Sequence, residues 1–208
     1  VYKRQAMGKS ALQNNTTGTE NTAVGVQSLD ANTTGNFNNA LGVNALGGTT
    51  TGGSNTAMGH EALRFNTTAN NNTAFGYHAL NANTTGTSNV AVGQGALLVN
   101  TTASGNTVVG RNAMDHNTTG SDNVAVGTLA LDANTTGSAN TVLGTSAGSA
   151  NTTASNNTFV GAAAGAANTT GDKNVAVGTL TLDANTTGAS NTAIGFEALT
   201  TLTTGGSN

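Results

Sequence analysis

The chain has 208 residues, six Lys or Arg against nine Asp or Glu, a net charge of −3, no cysteine and no proline. So few cations exclude a basic face for nucleic acid, and the missing thiols exclude disulfides and thiolate metal centres. No apolar stretch approaches the roughly 18 residues needed to cross a bilayer as a helix.

Residues 1–5, Val-Tyr-Lys-Arg-Gln, fall outside the pattern of the rest. They resemble the translated end of a transposon adaptor from a sequencing library. Residues 1–5 are therefore expected to be non-native, and 6–208 to form one repeat domain truncated at both ends.

From there on, glycine recurs every 17 residues without insertion or deletion: Gly8, Gly25, Gly42, Gly59, Gly76, Gly93, Gly110, Gly127, Gly144, Gly161, Gly178 and Gly195. A step this strict means one unit copied and stacked. Numbering the unit from Asn21 (position 1) to Phe37 (position 17) puts those glycines at position 5 as turn glycines. Position 1 is Asn21, Asn38, Asn55, Asn72, Asn89, Asn106, Asn123, Asn140, Asn157, Asn174 and Asn191.

Each unit opens with a short β-type run such as Thr22-Ala23-Val24. A glycine turn, a short segment around Ala-Leu and a broad Asn-Thr-Thr-Gly turn follow. Two glycines per unit, each costing a helix about 1 kcal/mol relative to alanine, rule helix out. Short β-branched runs bounded by Gly and Asn read as strands and turns. The expected fold is all-β: a β-solenoid of twelve 17-residue coils about 4.8 Å apart, hence a rod roughly 55–60 Å long. Aligned position-1 asparagines are expected to bond along the stack as an amide ladder.

Positions 3 and 4 are apolar in every unit, although neighbouring strand residues point to opposite faces. One face fills the interior. The other needs a cover, and a second chain is the simplest one, with turns folded back over the sheet as the alternative. Self-association, as a trimer or filament, is the expected partnership.

Asn-Thr-Ala-Val-Gly followed by Ala-Leu resembles the head repeat of trimeric autotransporter adhesins, the YadA-like left-handed β-roll. The longer Asn-Thr-Ala-x-Gly-x-x-Ala-Leu-x-x-Asn-Thr-Thr-Gly pattern also resembles arrays of phage tail-fibre and bacterial surface proteins. The resemblance covers residues 6–208 and implies three chains side by side, host-surface or matrix ligands and no enzyme activity. The Asn-Thr-Thr-Gly turn is longer here than in the adhesin repeat.

Position 12 reads as a column of N-glycosylation acceptors: Asn15, Asn32, Asn66, Asn83, Asn100, Asn117, Asn134, Asn151, Asn168 and Asn185. The threonine pair persists at Thr50-Thr51 and Thr203-Thr204, where position 12 is Thr49 or Leu202, so the threonines have a role of their own. Ice binding by threonine columns is a minor alternative, weakened by Asn39, Val90, Val124 and Val175 at position 2. His60, His78 and His116 occupy three different repeat positions and form no column. Asp30, Asp115, Asp132 and Asp183 share position 10 but are too sparse for a calcium roll. No catalytic set, metal site or cofactor is expected. Gly148 and Gly165 interrupt the leucines of position 9, which reads as a narrowed core there or as compensation by the neighbouring Phe159, with a ligand pocket as the lesser reading.

The expected function is an extracellular, cell-surface or virion fibre segment, adhesive or structural, with a glycan-coated filament as the alternative.

Overall fold

The computed structural model describes residues 4–208, and Val1–Lys3 lie outside the described residues. Among the described residues twelve strands follow one another with no helix between them: β1 (Arg4–Met7), β2 (Asn21–Val24), β3 (Asn39–Leu41), β4 (Thr56–Met58), β5 (Thr73–Phe75), β6 (Val90–Val92), β7 (Thr107–Val109), β8 (Val124–Val126), β9 (Thr141–Leu143), β10 (Thr158–Val160), β11 (Val175–Val177) and β12 (Thr192–Ile194). They form one parallel sheet in chain order, each strand paired with the next one 17 residues on, as Ala23 with Ala40 and Ala40 with Ala57. The result is a β-solenoid, and each coil takes the number of its strand below.

β1 begins at Arg4, which pairs with Asn21, so the ladder reaches two residues into the segment that breaks the sequence pattern. Main-chain N–H and C=O groups carry the pairing, and they do not depend on the side chains.

Ladder bonds continue outside the sheet. The Leu29 N–H donates to Ala45 C=O of the next coil (3.0 Å) and the Gly25 N–H to Met7 C=O of the previous one (2.8 Å). The Ala-Leu segment is therefore a stacked turn. It needs left-handed backbone at position 7 (Gln27, φ 55°) and at position 9 (Leu29, φ 49°). A left-handed leucine costs roughly 1–2 kcal/mol, and complete burial of Leu29 offsets this with about 1.5–3 kcal/mol. Gly25 has φ 137°, and a Cβ there would collide with the Gly42 carbonyl one coil on. That close approach of successive backbones accounts for the unbroken glycine column.

The interior is narrow: alanine or valine at position 3, a small residue at position 8, leucine at position 9, and two columns of fully enclosed asparagine. Phe159 occupies position 3 of coil 10 with no exposure. A Cβ on Gly148 would meet its ring at 3.0 Å and one on Gly165 at 2.7 Å. The two leucine gaps are filled by one phenylalanine.

Position 4 points the other way. Leu41, Met58, Phe75, Val109 and Leu143 are 36–48 % exposed, and the turns do not fold back over them.

Candidate functional site

The two interior asparagine columns converge on one acceptor in most coils. Nδ2 of Asn21 (position 1) donates to Gly35 C=O at 2.7 Å, and Nδ2 of Asn32 (position 12) reaches the same oxygen at 3.1 Å. Position 1 also links coils, since the Asn38 N–H donates to Asn21 Oδ1 at 2.9 Å and the Asn55 N–H to Asn38 Oδ1 at 3.0 Å. Position 12 does so through amides, with Asn100 Nδ2 donating to Asn83 Oδ1 and Asn117 Nδ2 to Asn100 Oδ1.

These position-12 amides are the acceptors expected for glycans. Asn32, Asn66, Asn83, Asn100, Asn117, Asn134, Asn151, Asn168 and Asn185 have no exposure in the wound rod, and Asn15 is half-buried. Their Nδ2 groups, which a glycosidic bond would need, already donate inward. A rod wound in this way leaves no room for sugar at the nine enclosed positions. Ladder chemistry accounts for the Asn and the first Thr of the Asn-Thr-Thr motif.

The threonine pair divides its work. At position 13 every hydroxyl donates to the carbonyl of the next position-13 threonine, from Thr16 to Thr33 (2.9 Å) through to Thr186 to Thr203 (3.1 Å). At position 14 the side chains of Thr17 through Thr204 are exposed in every coil. Position 2, the other threonine column, lies apart from them on the sheet face. A further ladder at position 16 was not anticipated: the Ser104 N–H donates to Ser121 Oγ, and the Ser121 N–H to Ser138 Oγ. Its residue type varies among Asn, Ser, Thr and Asp, with Gly53, Ala189 and Gly206 lacking a side-chain acceptor, so identity alone does not reveal it.

The strongest departure from the repeat lies on coils 4 and 5. The 17-residue step puts His78 directly over Glu61 at position 7, and Tyr77 over His60 at position 6. The His78 N–H donates to His60 C=O (3.0 Å) and the Glu61 N–H to Val43 C=O (2.9 Å), which fixes the backbone beneath all four side chains. Glu61 Oε1 accepts from Arg64 Nη1 at 2.6 Å, and Oε2 lies 3.2 Å from His78 Nε2. The Tyr77 ring stacks on His78 (3.9 Å between centroids) and on His60 (5.4 Å). Desolvation raises the Glu61 carboxyl, yet the Arg64 hydrogen bond and charge, with the two histidines, carry it below the usual glutamate range. One ligand atom from each of His60, Glu61 and His78 lies within 4.8 Å of the others. Two of the three histidines, His60 and His78, therefore meet across neighbouring columns.

Arg64 also borders a cleft of about 270 Å³. Gly47 and Gly48 form its floor, because coil 3 carries no side chains at positions 10 and 11, and Asp30 faces Arg64 across it. Desolvation lifts the Asp30 carboxyl above the usual aspartate range, and its backbone hydrogen bonds and Arg64 offset only part of that. Phe65 packs under the guanidinium, 5.0 Å from Arg64 Cζ to the ring centre.

The outer sheet face offers different chemistry. A groove of about 180 Å³ runs across β2 to β4, lined by Thr22, Val24, Asn39, Ala40, Leu41, Thr56 and Met58, with no charged group.

No family model, curated protein or solved structure matches the chain.

Proposed function

We propose that this chain is a segment of an extracellular fibre, adhesive or structural rather than enzymatic, whose rods associate side by side through the outer face of the sheet. One observation carries the reading. Position 4 presents an unbroken apolar column over twelve strands, with Leu41, Met58, Phe75, Val109, Leu143 and Ile194 among its most exposed members. Contiguous exposed apolar surface of this extent marks interaction sites. In such a rod every weak contact recurs at the coil pitch, so attachment to a surface or to a sister rod gains avidity with length.

Magnitude sets the expected strength. Twelve strands at about 4.8 Å spacing, each about 10 Å long, give a strip of roughly 550 Å². A standard interface needs about 800 Å² per partner. Association of this segment is therefore weak and reversible, and a tandem duplication of the array associates at lower concentration.

Sedimentation across a concentration series tests the reading. Support is a mass above one chain that returns to one chain in the Leu41→Lys, Leu143→Lys double variant. A single-chain mass at the highest soluble concentration, for both the segment and its duplication, overturns it.

A further inference from the structure

We propose that His60, Glu61 and His78 form a binding site for a late first-row divalent transition metal, zinc above all, with one coordination position open to solvent. The site is independent of the sheet face argued above.

Geometry is the first support. A tetrahedral ion with bonds of about 2.0–2.1 Å holds its ligand atoms roughly 3.3–3.4 Å apart. Glu61 Oε2 and His78 Nε2 already stand 3.2 Å apart, and the third ligand atom is within 4.8 Å. His60 is exposed, so rotation of its side chain closes the remaining gap without moving the coil.

Preorganisation is the second. Both coils are pinned beneath the site by the His78 N–H to His60 C=O bond, and Asn81 Nδ2 donates to Glu61 C=O at 2.7 Å. Tyr77 stacks closely on His78, 3.9 Å between centroids, and limits the rotation of that imidazole, while His60, 5.4 Å from the Tyr77 ring, stays free to turn toward the ion. Arg64 holds Oε1 and leaves Oε2 for the ion, the outer arrangement that orients ligating carboxylates in metal sites.

Donor chemistry is the third. Two imidazole nitrogens and one carboxylate oxygen suit zinc, nickel or copper, whereas calcium and magnesium require oxygen ligands. Three protein ligands leave a fourth position for water or an incoming carboxylate. Among the described residues no other His, Asp and Glu side chains meet in this way.

Tag-free protein titrated with zinc in a calorimeter decides the matter, with cobalt as a spectroscopic substitute. The expected result is one ion per chain with a dissociation constant of about 10 µM or tighter, and tetrahedral or five-coordinate cobalt bands. His78→Ala and His60→Asn each weaken binding by tenfold or more, His116→Ala leaves it unchanged, and excess magnesium does not compete. His60→Asn guards against misfolding, since His60 is exposed and outside the Glu61–Arg64 pair. Absence of saturable zinc binding, or equal affinity in wild type, His60→Asn and His78→Ala, overturns the proposal.

Discussion

A β-carbon on Gly165 would lie 2.7 Å from Cε1 and Cζ of Phe159, so the glycine is the complement of the ring. Phe159→Ala alone leaves a cavity and is expected to cost about 3–5 kcal/mol. Gly165→Leu alone overpacks the same space, at about 1–3 kcal/mol. Together with Gly148→Leu the changes restore the common leucine column, and the triple variant is expected to recover most of the loss. Urea unfolding of the single and triple variants measures the coupling, which strict additivity would refute.

The amide ladder predicts a stabilising change. Asn32 Oδ1 is buried without a partner because coil 3 carries Thr49 where an asparagine Nδ2 would donate. Thr49→Asn supplies that donor, an amide acceptor for Asn66 and a donor toward Gly52 C=O. The expected gain is about 1 kcal/mol, read as a higher denaturation midpoint. No gain, or a loss, would show that the ladder tolerates the gap for another reason.

Neighbouring threonines should respond unequally. Thr84→Val deletes the bond to Thr101 C=O at position 13 and is expected to destabilise by about 0.5–1.5 kcal/mol. Thr85→Val removes an exposed hydroxyl at position 14 and should stay within about 0.5 kcal/mol of wild type. Thermal unfolding of the pair separates the two roles. Nothing in the fold itself accounts for threonine recurring at position 14.

Acidity should matter at position 10. Desolvation, then the like charge of Asp115 one coil earlier, raises Asp132 above the usual aspartate range, with the Ala133 N–H and His116 pulling the other way. A carboxyl raised in the folded state favours the fold below its unfolded pKa, and that advantage is lost as pH rises through the folded value. Asp132→Asn is therefore expected to be more stable than wild type at neutral pH. The difference should shrink as the pH is lowered through the aspartate range, and paired melting curves at three pH values check this.

The enclosed acceptors make a chemical prediction as well. Folded protein offered to an oligosaccharyltransferase should remain unmodified at Asn66 and Asn100, whereas peptides containing the same Asn-Thr-Thr segments accept sugar. Glycopeptide mass spectrometry distinguishes these outcomes, and sugar on Asn100 of a still-folded rod would show that the coil opens.

Much of the architecture was legible because it is periodic. The glycine step set the rise of the chain, and the Thr-Ala-Val runs located the strands to within a residue or two. Apolar side chains at position 3 announced the buried face of the sheet, whereas those at position 4 lie on its exposed outer face. The Ala-Leu segment was harder, since leucine rarely adopts left-handed backbone and nothing in residue type marks Leu29 as doing so. Position 12 stayed open between sugar acceptor and ladder member for a related reason, because Asn-Thr-Thr carries the same letters whether the amide points inward or to solvent. The cluster at His60, Glu61 and His78 escaped because a search along columns detects likeness, whereas these side chains meet on a diagonal between adjacent columns.

Each position-1 asparagine keeps its Oδ1 turned toward the coil that follows it in the chain, where the next N–H docks. A nascent chain thus leaves behind every finished layer a seat for the one still being synthesised. A layer therefore finds its partners in the one already wound beside it, without waiting for distant segments to find one another.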